Sequence, residues 1–123
     1  MEREKFEALV EEAVADIPPR FKDLLQNIAV IVEARPPRGQ RLLGLYHGVP
    51  YKYRGPDYGN VAPDVIVIYQ WPIERMCTSD AEIREEVRMT VLHEVGHYFG
   101  LDESALRDIE REMRERGDKR EES

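Results

Sequence analysis

The sequence predicts an α+β domain in which a small mixed sheet packs against helices. Three observations predict it. Short apolar runs occupy the middle of the chain, at 28–32, 42–49 and 64–69, and their length suits strands rather than helices. Segments with apolar residues at helical spacing flank them on both sides. The resulting order, α-α-β-β-β-α-α, leaves one sheet to be covered by helices.

The elements follow in chain order. Residues 2–15 place Phe6, Leu9, Val10, Ala13 and Val14 at helical spacing with polar residues between them. Ile17-Pro18-Pro19 stops that helix, because proline removes a donor and restricts its predecessor. Pro19 then suits the first position of a second short helix carrying Phe21, Leu24 and Leu25. Ile28-Ala29-Val30-Ile31-Val32 is dense in β-branched residues and reads as a buried strand. Pro36-Pro37-Arg38-Gly39 is a loop. Leu42 to Val49 reads as a second strand ending at Pro50. Tyr51 to Pro63 is rich in Gly, Pro and Tyr and reads as an ordered loop, unlike a flexible serine-rich tether. Asp64 to Tyr69 is the clearest strand, and the chain turns away from it at Trp71-Pro72-Ile73-Glu74-Arg75.

A helix from Ser79 to Phe99 is the best specified element. Ser79 suits the N-cap and Glu82 the third helical position, a capping box. Gly100 suits the left-handed residue that ends a helix. A last helix spans about 104–114, and the charged residues 116–123 read as a disordered tail.

Composition excludes several function classes. The formal net charge is −7, which should repel nucleic acid and anionic lipid, and no aromatic-plus-basic platform for bases stands out along the sequence. No apolar run approaches the length of a membrane span. The charged start, Met1 to Lys5, leads into no signal-peptide core. The single cysteine, Cys77, cannot pair internally, which suits a reducing compartment. A cytoplasmic location is expected. Cys77 reads as a half-buried structural thiol.

One pentapeptide carries chemistry: His93-Glu94-Val95-Gly96-His97, which holds two of the three histidines. On a helix, residues four apart share a face, so both imidazoles reach one ion. This is the H-E-x-x-H arrangement of zinc hydrolases, with the glutamate as general base. At about 100° per residue, Ile83, Val87, Val91, Val95 and Tyr98 fall on one apolar arc. The two histidines lie beyond one margin of that arc and Glu94 lies inside it. A buried carboxylate needs compensation, and a cation with its water would supply it. His47 stands far away in sequence and reads as a surface or packing residue.

A catalytic zinc site takes three protein ligands and one water, so a third ligand is required. If the chain turns back at Gly100, Glu103, six residues after His97, reaches the ion. Asp102 is the neighbouring alternative. A carboxylate on the following helix is the other route, through Asp108, Glu110 or Glu112. The expected metal set is His93, His97 and Glu103, with Glu94 catalytic and Zn²⁺ as cofactor. No oxyanion stabiliser besides the metal stands out. Tyr46, His47 and Tyr58 are candidates, although packing or surface roles suit them better.

The run from His93 to Glu103, with Leu106 after it, resembles the small bacterial zincin-like proteins, minimal metallopeptidases. Further similarity lies in Gly44-Leu45-Tyr46, Gly48-Val49-Pro50, Arg54-Gly55, Pro63-Asp64 and Pro72-Ile73-Glu74. The resemblance implies a zincin-like α+β fold over residues 1–115, with His93 and His97 as ligands and Glu94 as base. That family carries an acid, often aspartate, at the third-ligand place, where this chain has Glu103. No clear methionine turn follows the motif; Met113 is the only downstream methionine. The expected function is zinc-dependent hydrolysis of a peptide or protein. The alternative is a non-catalytic metal-binding or protein-interaction module that keeps the motif.

Overall fold

In the computed structural model the described residues are 1–23, 25, 27–48 and 64–122, with Arg20, Met113 and 116–122 described by their backbone alone. The Tyr51–Pro63 loop and Tyr58 lie outside them. The elements are α1 (Arg3–Ala15), α2 (Pro19–Lys22), β1 (Ile28–Glu33), β2 (Gly44–His47), β3 (Asp64–Tyr69), α3 (Gln70–Met76), α4 (Asp80–Phe99) and α5 (Glu103–Glu122). The architecture is α+β, a small mixed sheet packed against helices, as the sequence predicts.

The three strands form a mixed sheet in the order β1-β3-β2. β3 is central: it runs parallel to β1, with Ile28 opposite Asp64, and antiparallel to β2, with Gly44 opposite Ile68. Its apolar residues Ile66 and Ile68 are fully buried, as expected of a strand with neighbours on both edges. β2 is shorter than the 42–49 run, and lies at one edge of the described sheet.

Helix α4 is the structural centre. It packs against α1, β2, β3, α3 and α5. Its N-terminus follows the sequence expectation: the Glu82 main-chain N–H donates to Ser79 Oγ at 3.1 Å. Glu82 reaches back one residue further than a simple capping box would require, accepting from the Thr78 N–H at 2.7 Å. The C-terminus is a Schellman turn. Gly100 sits at φ 70°, ψ 30°, and the N–H groups of Gly100 and Leu101 donate to the carbonyls of His97 and Gly96.

Burial on α4 is wider than the predicted arc. From Val87 onward Arg88, Met89, Thr90 and Leu92 are also buried, because other elements cover the sides that a single-stripe helix would show to water. Phe6, Val10 and Ala13 of α1 join the core. Polar contacts rim the α1–α4 seam, where Lys5 meets Asp80 at 2.5 Å and Arg84 pairs with Glu12.

Two boundaries correct the sequence reading. Trp71 to Arg75 is not a plain turn but part of α3, with Pro72 near its start, where a missing N–H costs little. Helix α5 continues to Glu122 rather than stopping near Arg114. Glu, Lys and Arg are strong helix formers. The lack of apolar residues there had concealed this. No helix among the described residues is long and apolar enough to cross a membrane. Cys77 is half-buried. Burial, then the charges of Glu86 and Glu82, push its thiol pKa up, which suits an unreactive packing thiol.

Candidate metal centre

Helical periodicity delivers the central group. His93 and His97 stand one turn apart on α4, with ring centroids 4.7 Å apart and planes at 76°. One donor atom from each of His93, Glu94 and His97 lies within 4.8 Å of the others. Two imidazoles and a carboxylate are a donor set that zinc accepts.

Glu94 is only 7% exposed. Burial raises its pKa; His97, His93 and a main-chain hydrogen bond from the Tyr46 N–H act in the opposite direction. The carboxylate is thus buried beside the two histidines. β2 forms the wall opposite, where Gly44 passes close to the Glu94 and Thr90 side chains. Beside these residues opens a cleft of about 350 Å³, lined by Gly44, Thr90, His93, Glu94, Glu110 and Arg41 among others.

The expected third ligand takes a different place from the other three residues. Glu103 is the first residue of α5 and is exposed, and the group formed by His93, Glu94 and His97 does not include it. Asp102 caps that helix, its Oδ1 accepting the Ala105 N–H at 2.8 Å. The carboxylate that does meet a histidine is Glu110, whose Oε1 lies 2.8 Å from His93 Nδ1. Of the acids on the last helix that the sequence left open, this is the one delivered to the site. With Nδ1 engaged, Nε2 is the His93 nitrogen left for an ion. A carboxylate on the far ring nitrogen is how ligating histidines are commonly oriented. The sequence contained a signal for it: Leu106, only 2% exposed, is four residues before Glu110, so both lie on the α5 face turned toward α4.

The tightness of the α4–α5 contact depends on Gly96. A Cβ there would lie 1.9 Å from Leu106 Cδ2 and 3.2 Å from its Cγ. Gly96→Leu is therefore expected to push α5 away, to cost about 1–3 kcal/mol of stability through overpacking, and to weaken metal binding by drawing Glu110 off His93. Urea unfolding and chelator competition check it; a variant as stable and as metal-avid as the parent would contradict the packing argument.

The oxyanion candidates fare unequally. The Tyr46 hydroxyl donates to Asp64 Oδ2 at 2.8 Å, and its ring packs edge-on against Tyr98, so it has a packing role. His47 is exposed at the end of β2.

The family model of zincin-like metallopeptidases matches residues 25–113, a span that contains the three strands, α4 and the first half of α5. No curated protein matches the chain.

Proposed function

The chain belongs to the zincin-like metallopeptidase family, and from that premise we propose that it is a zinc-dependent peptide hydrolase. The observation that carries the reading is the packing of His93, Glu94 and His97 donors within 4.8 Å of one another, with the glutamate buried. His93 and His97 would hold the ion; Glu103, which the spacing after the motif favours as third ligand, stands exposed at the start of α5, outside their group. When bound, zinc supplies a Lewis acid that polarises the scissile carbonyl and acidifies a water molecule.

The chain's own residues do the rest. Glu94 accepts the proton of the attacking water at its carboxylate and returns it to the leaving amine nitrogen. Its raised pKa brings the carboxylate closer to working pH, which favours both halves of that exchange. Glu110 fixes the His93 ring. A substrate peptide lies extended beside β2, the edge strand that faces Glu94, and adds main-chain hydrogen bonds there.

Metal analysis and a peptide-library screen against a chelated control test this reading. About one zinc per chain is expected, with hydrolysis lost on chelation and restored by zinc. Zinc far below that level, or cleavage indifferent to the chelator, would sink it. The exposed Glu103 favours a second reading, a metal holder without catalysis, and full zinc occupancy without cleavage of any peptide would select it.

A further inference from the structure

A second pocket, of about 450 Å³, adjoins the metal cleft and shares Arg41, Leu42 and Leu43 with it. Its composition is unusual for a chain with a formal charge of −7. Four arginines, Arg35, Arg38, Arg41 and Arg75, line it around Trp71, with Pro36, Pro37 and Pro72 in its walls. Among the described residues none of these four arginines has an acidic partner, whereas Arg3, Lys5, Arg84, Arg88 and Arg111 each pair with a carboxylate.

Ring stacking and main-chain bonds hold the pocket together. The Arg35 and Arg75 guanidinium carbons stand 4.7 and 4.5 Å from the Trp71 ring centroid. Such stacking restrains a guanidinium through its face and leaves the N–H fork at its edge free for a planar anion. Main-chain bonds tie the walls together: the Trp71 N–H donates to Ala34 O at 3.0 Å, and the Tyr69 N–H to Leu43 O at 2.9 Å. Trp71 itself is 41% exposed.

We propose that this pocket is a substrate subsite that takes carboxylate side chains, so that the protein acts on acidic peptides. The inference rests on the hydrolase reading for its setting. The shared Arg41-Leu42-Leu43 wall joins the pocket to the cleft at the start of β2. A peptide stretched along that edge therefore places a glutamate or aspartate among the arginines, to one side of the bond facing Glu94. Charge complementarity selects the occupant, since unpaired guanidiniums bind carboxylates in a bidentate manner. A nucleic acid strand is disfavoured because Glu86, Glu94 and Glu110 line the neighbouring cleft and repel a continuous polyanion.

The test uses the full chain, freed of metal, and the anisotropy of a labelled, blocked peptide that carries one glutamate in an otherwise uncharged sequence. The glutamate peptide is expected to bind about tenfold tighter than its glutamine counterpart, and Arg38→Gln and Arg75→Gln are each expected to weaken it about tenfold, the effect of one lost charge-assisted contact. Quenching of Trp71, the only tryptophan, should accompany binding to the parent chain. Circular dichroism confirms that the variants are folded. Equal binding of the glutamine peptide, indifference to both substitutions, or displacement of the peptide by a lower concentration of single-stranded oligonucleotide overturns the proposal. Because the assay needs no metal and no turnover, acidic-peptide binding without hydrolysis would leave the subsite standing and reject only the peptidase. Zinc-dependent cleavage without acidic preference would do the reverse.

Discussion

Glu94→Gln is expected to lower peptide hydrolysis by about 10²–10⁴-fold, the usual share of a positioned proton-transfer group, while zinc stays bound. Glutamine keeps the shape of the side chain and an oxygen to accept the Tyr46 N–H, but it cannot take a proton from water. His93 and His97 are untouched, so metal content should match the parent. Steady-state cleavage and metal analysis on the same preparation decide the matter: activity that survives the change means another group is the base.

The same substitution should leave a mark on metal-free stability. Burial raises the Glu94 pKa in the folded chain. A carboxyl with a raised folded pKa binds more protons folded than unfolded, so its effect on stability worsens as pH rises from the unfolded value, about 4.3, through the raised one. Glutamine does not titrate. Metal-free Glu94→Gln should therefore match the parent in strong acid and exceed it at neutral pH, by about 1.4 kcal/mol for each tenfold increase in proton affinity that burial causes. Denaturant midpoints at both pH values measure the gap. A variant less stable than the parent at neutral pH would show that the histidines compensate the buried charge without any ion.

These expectations were accessible in unequal measure from the chain alone. Helix α4 was legible from end to end, because Ser79, Glu82 and Gly100 are local signals and the H-E-x-x-H spacing needs only the helical repeat. Strands β1 and β3 were equally clear from their apolar runs. The extent of α5 was not: its last turns contain no apolar residues to mark a face, and propensity alone carries the helix onward. The basic pocket was hidden for a different reason. Arg35, Arg38 and Arg41 lie on the loop after β1, while Trp71 and Arg75 belong to α3, and only the pairing of β1 and β2 with β3 brings them together. A net charge of −7 averages over the whole surface and says nothing about such a local concentration. Glu103 and Glu110 show the same limit. Spacing after the motif favours Glu103, yet the Gly96–Leu106 contact sets how α5 lies on α4, and that contact delivers Glu110.

Glu110→Ala is accordingly expected to weaken zinc binding by about 10–100-fold, the usual cost of losing a partner that orients a ligating histidine. Without the contact at 2.8 Å the His93 ring is free to rotate, and part of the binding energy is spent on fixing it. Glu110→Gln retains an acceptor for the ring N–H but not the charge, and should fall between alanine and the parent. A true ligand behaves differently from an orienting group. Replacing zinc by cobalt makes that difference visible, since the visible spectrum follows the ligand set. Glu103→Ala should change the spectrum if Glu103 coordinates the ion; Glu110→Ala should preserve the spectrum and shift only the chelator concentration needed to strip the metal. If Glu110→Ala alters the spectrum and Glu103→Ala does not, Glu110 is the third ligand and the turn at Gly100 serves only to bring α5 across the site.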